Sequence, residues 1–242
     1  MIGKTLKHPF FGNFPTAIDL FTRNPQFGTV VSRVNRIADK ISTGTSTLPF
    51  TSTKTSSLDI ANDFRGAAFE GFGEIFIKLM GVIPQIGIDK YEPLTGVGDD
   101  YGVDGKGIGR NGKLLTVQFK FRSEYDTVLH GNKDHLHNFV NASLEMGVDI
   151  NDNDNMVIIT TADEVFYKDM TAEWKEKVRY ISPNNSWGCY RDRKYAPQNP
   201  TNLFSLKSLL DDNPIFWNAA SDLVNGIVST THDPEGSGLV RL

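Results

Sequence analysis

One cysteine, Cys189, in 242 residues leaves no partner for an intramolecular disulfide and no set of thiolates for a zinc cluster. The chain must hold itself together by burial, and 39% hydrophobic residues are enough to build a core at this length. That cysteine usage fits a reducing, cytoplasmic setting. Long apolar runs are missing as well. The segment from Met1 to Leu20 is broken by Pro9, Gly12 and Pro15, and no run reaches the length of a signal core or membrane span, so a soluble protein with no membrane partner is expected. Excess positive charge is also absent. A net charge of −4 argues against a generally basic nucleic-acid coat, while leaving room for local basic patches or for cations that offset phosphate charge. Finally, no GxxxxGK[ST] segment occurs, which removes the simplest ATP-binding proposal.

What is present divides the chain into five stretches. Residues 1–42 form an N-terminal appendage in which Val30, Val34, Ile37 and Ile41 recur at helical spacing, predicting one amphipathic helix over Thr29 to Ile41. Residues 43–57 are dominated by Ser and Thr and read as an exposed linker. The core is expected over 58–182. It opens with a helix from Leu58 to Met80, capped by Asp59 and left through Gly81, whose interior glycines Gly66, Gly71 and Gly73 suggest close packing against another element. His135 to Met146 and Asp163 to Arg179 read as helices, and Met156 to Thr161 as a buried strand. Residues 183–228 carry a basic, aromatic stretch and two more helices, near Leu203 to Leu210 and Pro214 to Val228, and 229–242 read as a flexible tail. Strands alternating with helices predict a mixed α/β architecture.

The most regular alternation runs from Lys113 to Arg122. Leu115, Val117, Phe119 and Phe121 point one way, and Thr116, Gln118, Lys120 and Arg122 the other. Asn111-Gly112 is a favoured two-residue hairpin signal, so a strand beginning near Val103 should pair antiparallel with this one. Gly107 to Gly112 matches GxGxxG, yet a strand pattern follows it where a dinucleotide site needs a helix, so these glycines are read as hairpin residues. Gln118 and Lys120 share a strand face, with Asp104 at the base of the paired strand. A carboxylate, an amide oxygen and a lysine converging beside a helix that carries Glu70 would suit a magnesium ion, which takes hard oxygen ligands and activates water toward a phosphodiester.

Taken in order, Phe69-Glu70, Gly98-Asp-Asp-Tyr-Gly-Val-Asp104-Gly and Val117-Gln-Phe-Lys120 resemble the PD-(D/E)xK nuclease superfamily, in particular its Mrr-like restriction-endonuclease branch, with MVIITTADE resembling the later core strand. The resemblance spans about Asp59 to Thr161. It implies a restriction-endonuclease-like mixed β-sheet core flanked by helices, with N- and C-terminal helical additions, and an Mg²⁺- or Mn²⁺-dependent endonuclease acting on DNA. Asp104 would be the principal metal ligand, Glu70 a further carboxylate, and the Phe119 backbone carbonyl a third donor. Gln118 stands where many members carry Glu or Asp, and Lys120 would position the attacking water. The resemblance also implies a possible homodimer and a helicase or ATPase module in cis or in trans.

Ordinary structure competes at each position. Asp104 before Gly105 is also turn chemistry, the polar face of the strand could be a wet face, and Glu74 competes with Glu70. Asp100 reads as a turn residue. The histidines between Leu129 and Asn138 lack a partner set and read as surface residues. Arg122 and Lys133 are candidate phosphate contacts. Arg191, Arg193 and Lys194, interleaved with Trp187, Tyr190 and Tyr195, could stack bases and neutralise phosphates, or form a packed charged loop. The alternative to the enzyme is a catalytically silent nuclease fold that binds DNA or a protein partner.

Overall fold

The computed structural model describes residues 6–13, 20–21, 26–46, 56–84, 86–94, 102–123, 128–130, 136–152, 154–162, 164–166, 177–183 and 205–231. The helices are α1 (Phe10–Asn13), α2 (Phe27–Ser42), α3 (Ser57–Met80), α4 (Leu136–Glu145), α5 (Leu206–Leu210) and α6 (Pro214–Thr231). The strands are β1 (Ile88–Pro93), β2 (Gly105–Gly109), β3 (Leu114–Lys120), β4 (Val128–His130), β5 (Met156–Thr160), β6 (Glu164–Phe166) and β7 (Val178–Ile181).

Five strands form one mixed sheet in the order β1-β2-β3-β5-β7. The β1/β2 and β2/β3 pairs are antiparallel. The β3/β5 and β5/β7 pairs are parallel. A mixed α/β architecture with a helix-flanked sheet is therefore present. The second sheet is the short parallel pair β4 and β6.

The hairpin lies where Asn111-Gly112 places it, but not as a two-residue turn. Ile108 pairs with Leu114, Gly109 N–H donates to Lys113 C=O at 2.8 Å, and Gly112 alone takes a left-handed conformation, at φ 74°. Asn111 instead contributes its side-chain oxygen, which accepts the Lys113 N–H at 3.0 Å.

Strand β3 is central and covered on both faces. Leu115, Val117 and Phe119 join α3 in a core that also takes in Phe10, Phe21, Val30, Val34 and Trp217. On the other face Thr116 Oγ1 donates to Ser143 Oγ of α4 at 2.8 Å, and Gln118 is only 2% exposed. The wet-face alternative is thus overturned at Gln118, though Lys120 and Arg122 stay half-exposed: α4 lies on this face through a second core of Leu136, Phe139, Val140, Met156, Ile158 and Tyr180.

Helix α3 approaches the sheet through Gly73, where a Cβ would stand 2.0 Å from the Phe119 ring, and it meets Phe10 at Gly71, where the gap is 3.2 Å. The expected close packing is present at these two glycines but not at Gly66, where a Cβ would meet only Glu70 Oε1 of the same helix, at 3.8 Å. Ser56, not Asp59, occupies the N-cap of α3, with extended backbone and no side-chain hydrogen bond. Asp59 sits in the first turn, where its charge complements the helix dipole.

The residues that precede the Ser/Thr-rich stretch share the α3 core: Phe10, Phe21 and Phe27 are buried, and Phe27 packs on Phe72 with ring centroids 5.5 Å apart.

Two further expectations fail. The charged segment Asp163 to Arg179 is not one helix, since β6 begins at Glu164 and β7 at Val178. All four residues of β7 are buried beside β5, Arg179 included, and its guanidinium Nη1 donates to Ile86 C=O at 2.6 Å. The C-terminal helix also continues to Thr231, past the expected start of a flexible tail at Ser229. The linker residues 47–55 and the basic, aromatic stretch 184–204 lie outside the described residues.

Candidate metal and phosphodiester site

A cleft of about 1070 Å³ opens at the carboxyl end of β3. Asp104, Gln118, Phe119, Lys120 and Arg122 line one side of it. Glu70 and Arg65 of α3, with Arg36, Asp39 and Lys40 of α2, line the other. Four stretches of chain far apart in sequence thus meet here, including every core residue named from the resemblance.

Asp104 sits just ahead of β2 and extends its ladder. Its N–H donates to Val117 C=O at 2.9 Å, and its own C=O accepts the Leu94 N–H at 2.9 Å. The Val117 carbonyl that accepts the Asp104 N–H is followed directly by Gln118, and Asp104 and Gln118 both line the cleft. The carboxylate is aimed by a further bond, Oδ2 accepting the Phe119 N–H. A strand residue's N–H and C=O point to the same side, so the Phe119 carbonyl is directed toward Asp104. Gly105 admits the Tyr91 ring, which would lie 2.3 Å from a Cβ at that position. Asp104-Gly105 is therefore a strand entry packed on an aromatic ring, not a turn.

Gln118 carries the most informative atom. Its Oε1 is buried and has no hydrogen-bond partner among the described residues. A buried acceptor without a partner costs about 1–3 kcal/mol, so such an atom on a cleft wall calls for a donor or a cation.

Two residues later, the backbone around Lys120 is pinned by β5. Thr160 Oγ1 donates to Lys120 C=O at 2.8 Å, and Thr161 exchanges bonds with Arg122, accepting its N–H at 2.6 Å and donating to its C=O at 2.9 Å. Sequence reasoning took MVIITT as a buried strand and missed this clamp, which holds β3's exit in place past its last ladder bond.

The structure separates Glu70 from its competitor Glu74. Glu74 is fully buried: Lys78 Nζ stands 2.7 Å from its Oε1, the Lys7 N–H donates at 2.8 Å and the His8 N–H at 2.8 Å. That carboxylate is spent on holding chain to chain. Glu70 is 31% exposed, lines the cleft, and meets His8 Nε2 at 2.9 Å. No sequence pattern flags His8, because its partner is 62 positions away.

The second wall was also missed. The Arg65 guanidinium joins α3 to α2 through Asp39 Oδ1 at 2.8 Å and Asn35 Oδ1 at 3.1 Å, and Arg36 and Lys40 stand exposed beside it. The amphipathic pattern of α2 showed which face is buried but not that its polar face borders a cleft.

Burial, and then the Asp104, Glu74 and Glu70 carboxylates, push the Tyr91 phenol well above its ordinary value. Among the described residues no group of three His, Cys, Asp or Glu side chains is gathered to hold a metal, so a cation here would rely on Asp104 and Glu70 with the neutral oxygens of Gln118 and Phe119 and with water. That donor set is hard oxygen throughout and fits Mg²⁺ or Mn²⁺.

Asp100, Lys133, His135, Arg191, Arg193 and Lys194 lie outside the described residues. His130 is in β4 and His137 in α4. Among the described residues no helix is long and apolar enough to cross a membrane. Comparison of the chain with protein-family models and with curated proteins returns no match.

Proposed function

We propose that this protein is a metal-dependent phosphodiesterase acting on DNA, of PD-(D/E)xK type on a restriction-endonuclease-like fold. The observation that carries the reading is the buried, partnerless Gln118 Oε1, on a residue that lines one cleft with Asp104 and stands two positions before Lys120. The order of helix, hairpin and later core strand, running α3, β2–β3, β5, supports it as well. Asp104, Gln118 Oε1, the Phe119 carbonyl and Glu70 would hold an Mg²⁺ or Mn²⁺ ion, which would supply polarisation of the phosphodiester and a more acidic water.

The chain's own residues supply the rest. Lys120, whose backbone carbonyl accepts from Thr160 Oγ1 and the Thr161 N–H, orients the attacking water and balances charge growing on the phosphate oxygens. Asp104, locked to the Phe119 N–H, keeps its orientation without a reorganisation step. Arg122, Arg36 and Lys40 contact neighbouring phosphates as DNA lies between α2 and the sheet. A helicase or ATPase module, where one operates, is supplied by another segment or subunit.

The test is cleavage of plasmid and single-stranded DNA with Mg²⁺, Mn²⁺ or chelator. Cleavage is expected with either metal, is lost in chelator, and falls by at least about 10²-fold in Asp104→Ala and in Lys120→Ala with the fold intact. Cleavage that survives both substitutions removes the site assignment. DNA binding without cleavage in any metal turns the reading into that of a silent binding module.

A further inference from the structure

The N-terminal segment does more than cover the core. Lys7 and His8 lie across α3 beside two glutamates one helical turn apart, and each glutamate takes hold of a different part of the segment. Glu74 takes the backbone: both its oxygens accept the Lys7 N–H, at 2.8 and 3.0 Å, and Oε2 accepts the His8 N–H at 2.8 Å. Lys78 balances that carboxylate at 2.7 Å. Glu70 takes the side chain, its Oε2 lying 2.9 Å from His8 Nε2. Phe10, seated on Gly71 where a Cβ would leave 3.2 Å, fixes the register of the segment along the helix.

The other ring nitrogen decides the protonation pattern. The Phe10 N–H donates to His8 Nδ1 at 3.2 Å, and an amide N–H cannot accept, so Nδ1 presents its lone pair. In the neutral imidazole the proton then sits on Nε2 and points at Glu70 Oε2. The buried ring thus holds one carboxylate oxygen and leaves Oε1, which lies 3.8 Å from the position of a Cβ on cleft-lining Gly66, as the oxygen on offer to the cleft.

We propose that His8 is a positioning residue for Glu70, and that the N-terminal segment is therefore a built-in part of the cation site. The claim rests on the nuclease reading for its consequence at the metal, but not for the His8–Glu70 contact itself. A carboxylate oriented by a second hydrogen bond loses less freedom when it ligates, and removing such an outer partner lowers metal affinity by about 10–100-fold.

Mn²⁺ titration of the DNA-free protein, followed by the resonance of free Mn²⁺, should show affinity at least about tenfold weaker in His8→Ala than in the wild type. His8→Gln restores an N–H at the reach of Nε2 and should return affinity to within about threefold of the wild type, a rescue that a merely structural role would not give. Ring-nitrogen spectra of isotope-labelled histidine, taken without metal, should place the His8 proton on Nε2 and show that signal move in Glu70→Gln. Unchanged Mn²⁺ affinity in a folded His8→Ala overturns the proposal, as does a proton on Nδ1 or a His8 signal indifferent to Glu70→Gln. A wild type that binds no Mn²⁺ sinks the nuclease reading, and the ring spectrum then decides the His8–Glu70 contact by itself, so the two failures are distinguishable.

Discussion

Replacing Gln118 by Met tests whether its buried oxygen is kept for a ligand. Met matches Gln closely in length and volume and brings no acceptor, so the packing between Gly102, Phe139 and the sheet changes little. In metal-free protein the wild type carries the penalty of an acceptor without a partner, about 1–3 kcal/mol, and the variant does not. For a chain of this length 1 kcal/mol corresponds to about 2–4 °C in Tm, so Gln118→Met should melt about 2–12 °C above the wild type in chelator. Saturating Mn²⁺ reverses the order. At a hundredfold excess over Kd, ligand binding adds about 2.7 kcal/mol to the wild type and far less to a variant that has lost one donor. The assay is a pair of thermal melts, with chelator and with Mn²⁺, and the signature is that the two proteins exchange rank. A variant that is less stable in chelator shows that the amide oxygen is satisfied in solution and was never held in reserve. A variant with an unchanged Mn²⁺-induced shift shows that the cation, if bound, does not touch position 118.

Three further outcomes follow from the geometry. Gly73→Ala drives a methyl into the Phe119 ring and should destabilise the protein by about 1–3 kcal/mol in urea, with α3 displaced from β3 and cleavage reduced along with stability. The Tyr91 phenol, held above its ordinary value of 10.0 by burial and then by Asp104, Glu74 and Glu70, stays neutral in the folded protein while the unfolded chain ionises. Its contribution is fully present below pH 10 and is lost as pH climbs toward the folded value, at about 1.4 kcal/mol per pH unit, and Tyr91→Phe should remove that slope from the denaturation profile. Substituting Arg36 and Lys40 by Gln should weaken DNA binding uniformly across sequences and lower the slope of log affinity against log salt by about 2, since each phosphate contact contributes about 0.9; an unchanged slope would remove α2 from the DNA path.

The parts of this structure that can be read directly from sequence are those whose physics is local. The β3 alternation, the Asn111-Gly112 turn and the apolar periodicity of α2 and α3 each need only neighbours a few positions away, and each element is present. Strand β1 escapes because a bulge between Asp89 and Glu92, with Lys90 at φ 49°, breaks the two-residue period into a buried, exposed, exposed, buried pattern. Strand β7 escapes for a different reason. Arg179 is buried there through a bond to Ile86, so a charge that reads as solvent-facing in sequence is interior in space.

The candidate site divides the same way. Glu70, Asp104, Gln118 and Lys120 stand in a recognisable order, whereas His8, the α2 wall and the Thr160–Thr161 clamp depend on distant pairings that no local pattern encodes. What singles out Glu70 from Glu74 is the occupant of each carboxylate, and that is visible only once the N-terminal segment is laid along α3.

Phe27 N–H is capped by Asp211 Oδ1 at 2.8 Å, a bond between residues 184 positions apart, and Phe72 and Phe76 are covered by Trp217 and Phe216. During synthesis, α2 and α3 leave the ribosome long before either cover exists. The wall of the cleft that is translated first is therefore set only after α5 and α6 emerge, and the newborn chain carries an open aromatic face until then. Yield of folded protein should accordingly depend on how quickly α5 and α6 are delivered.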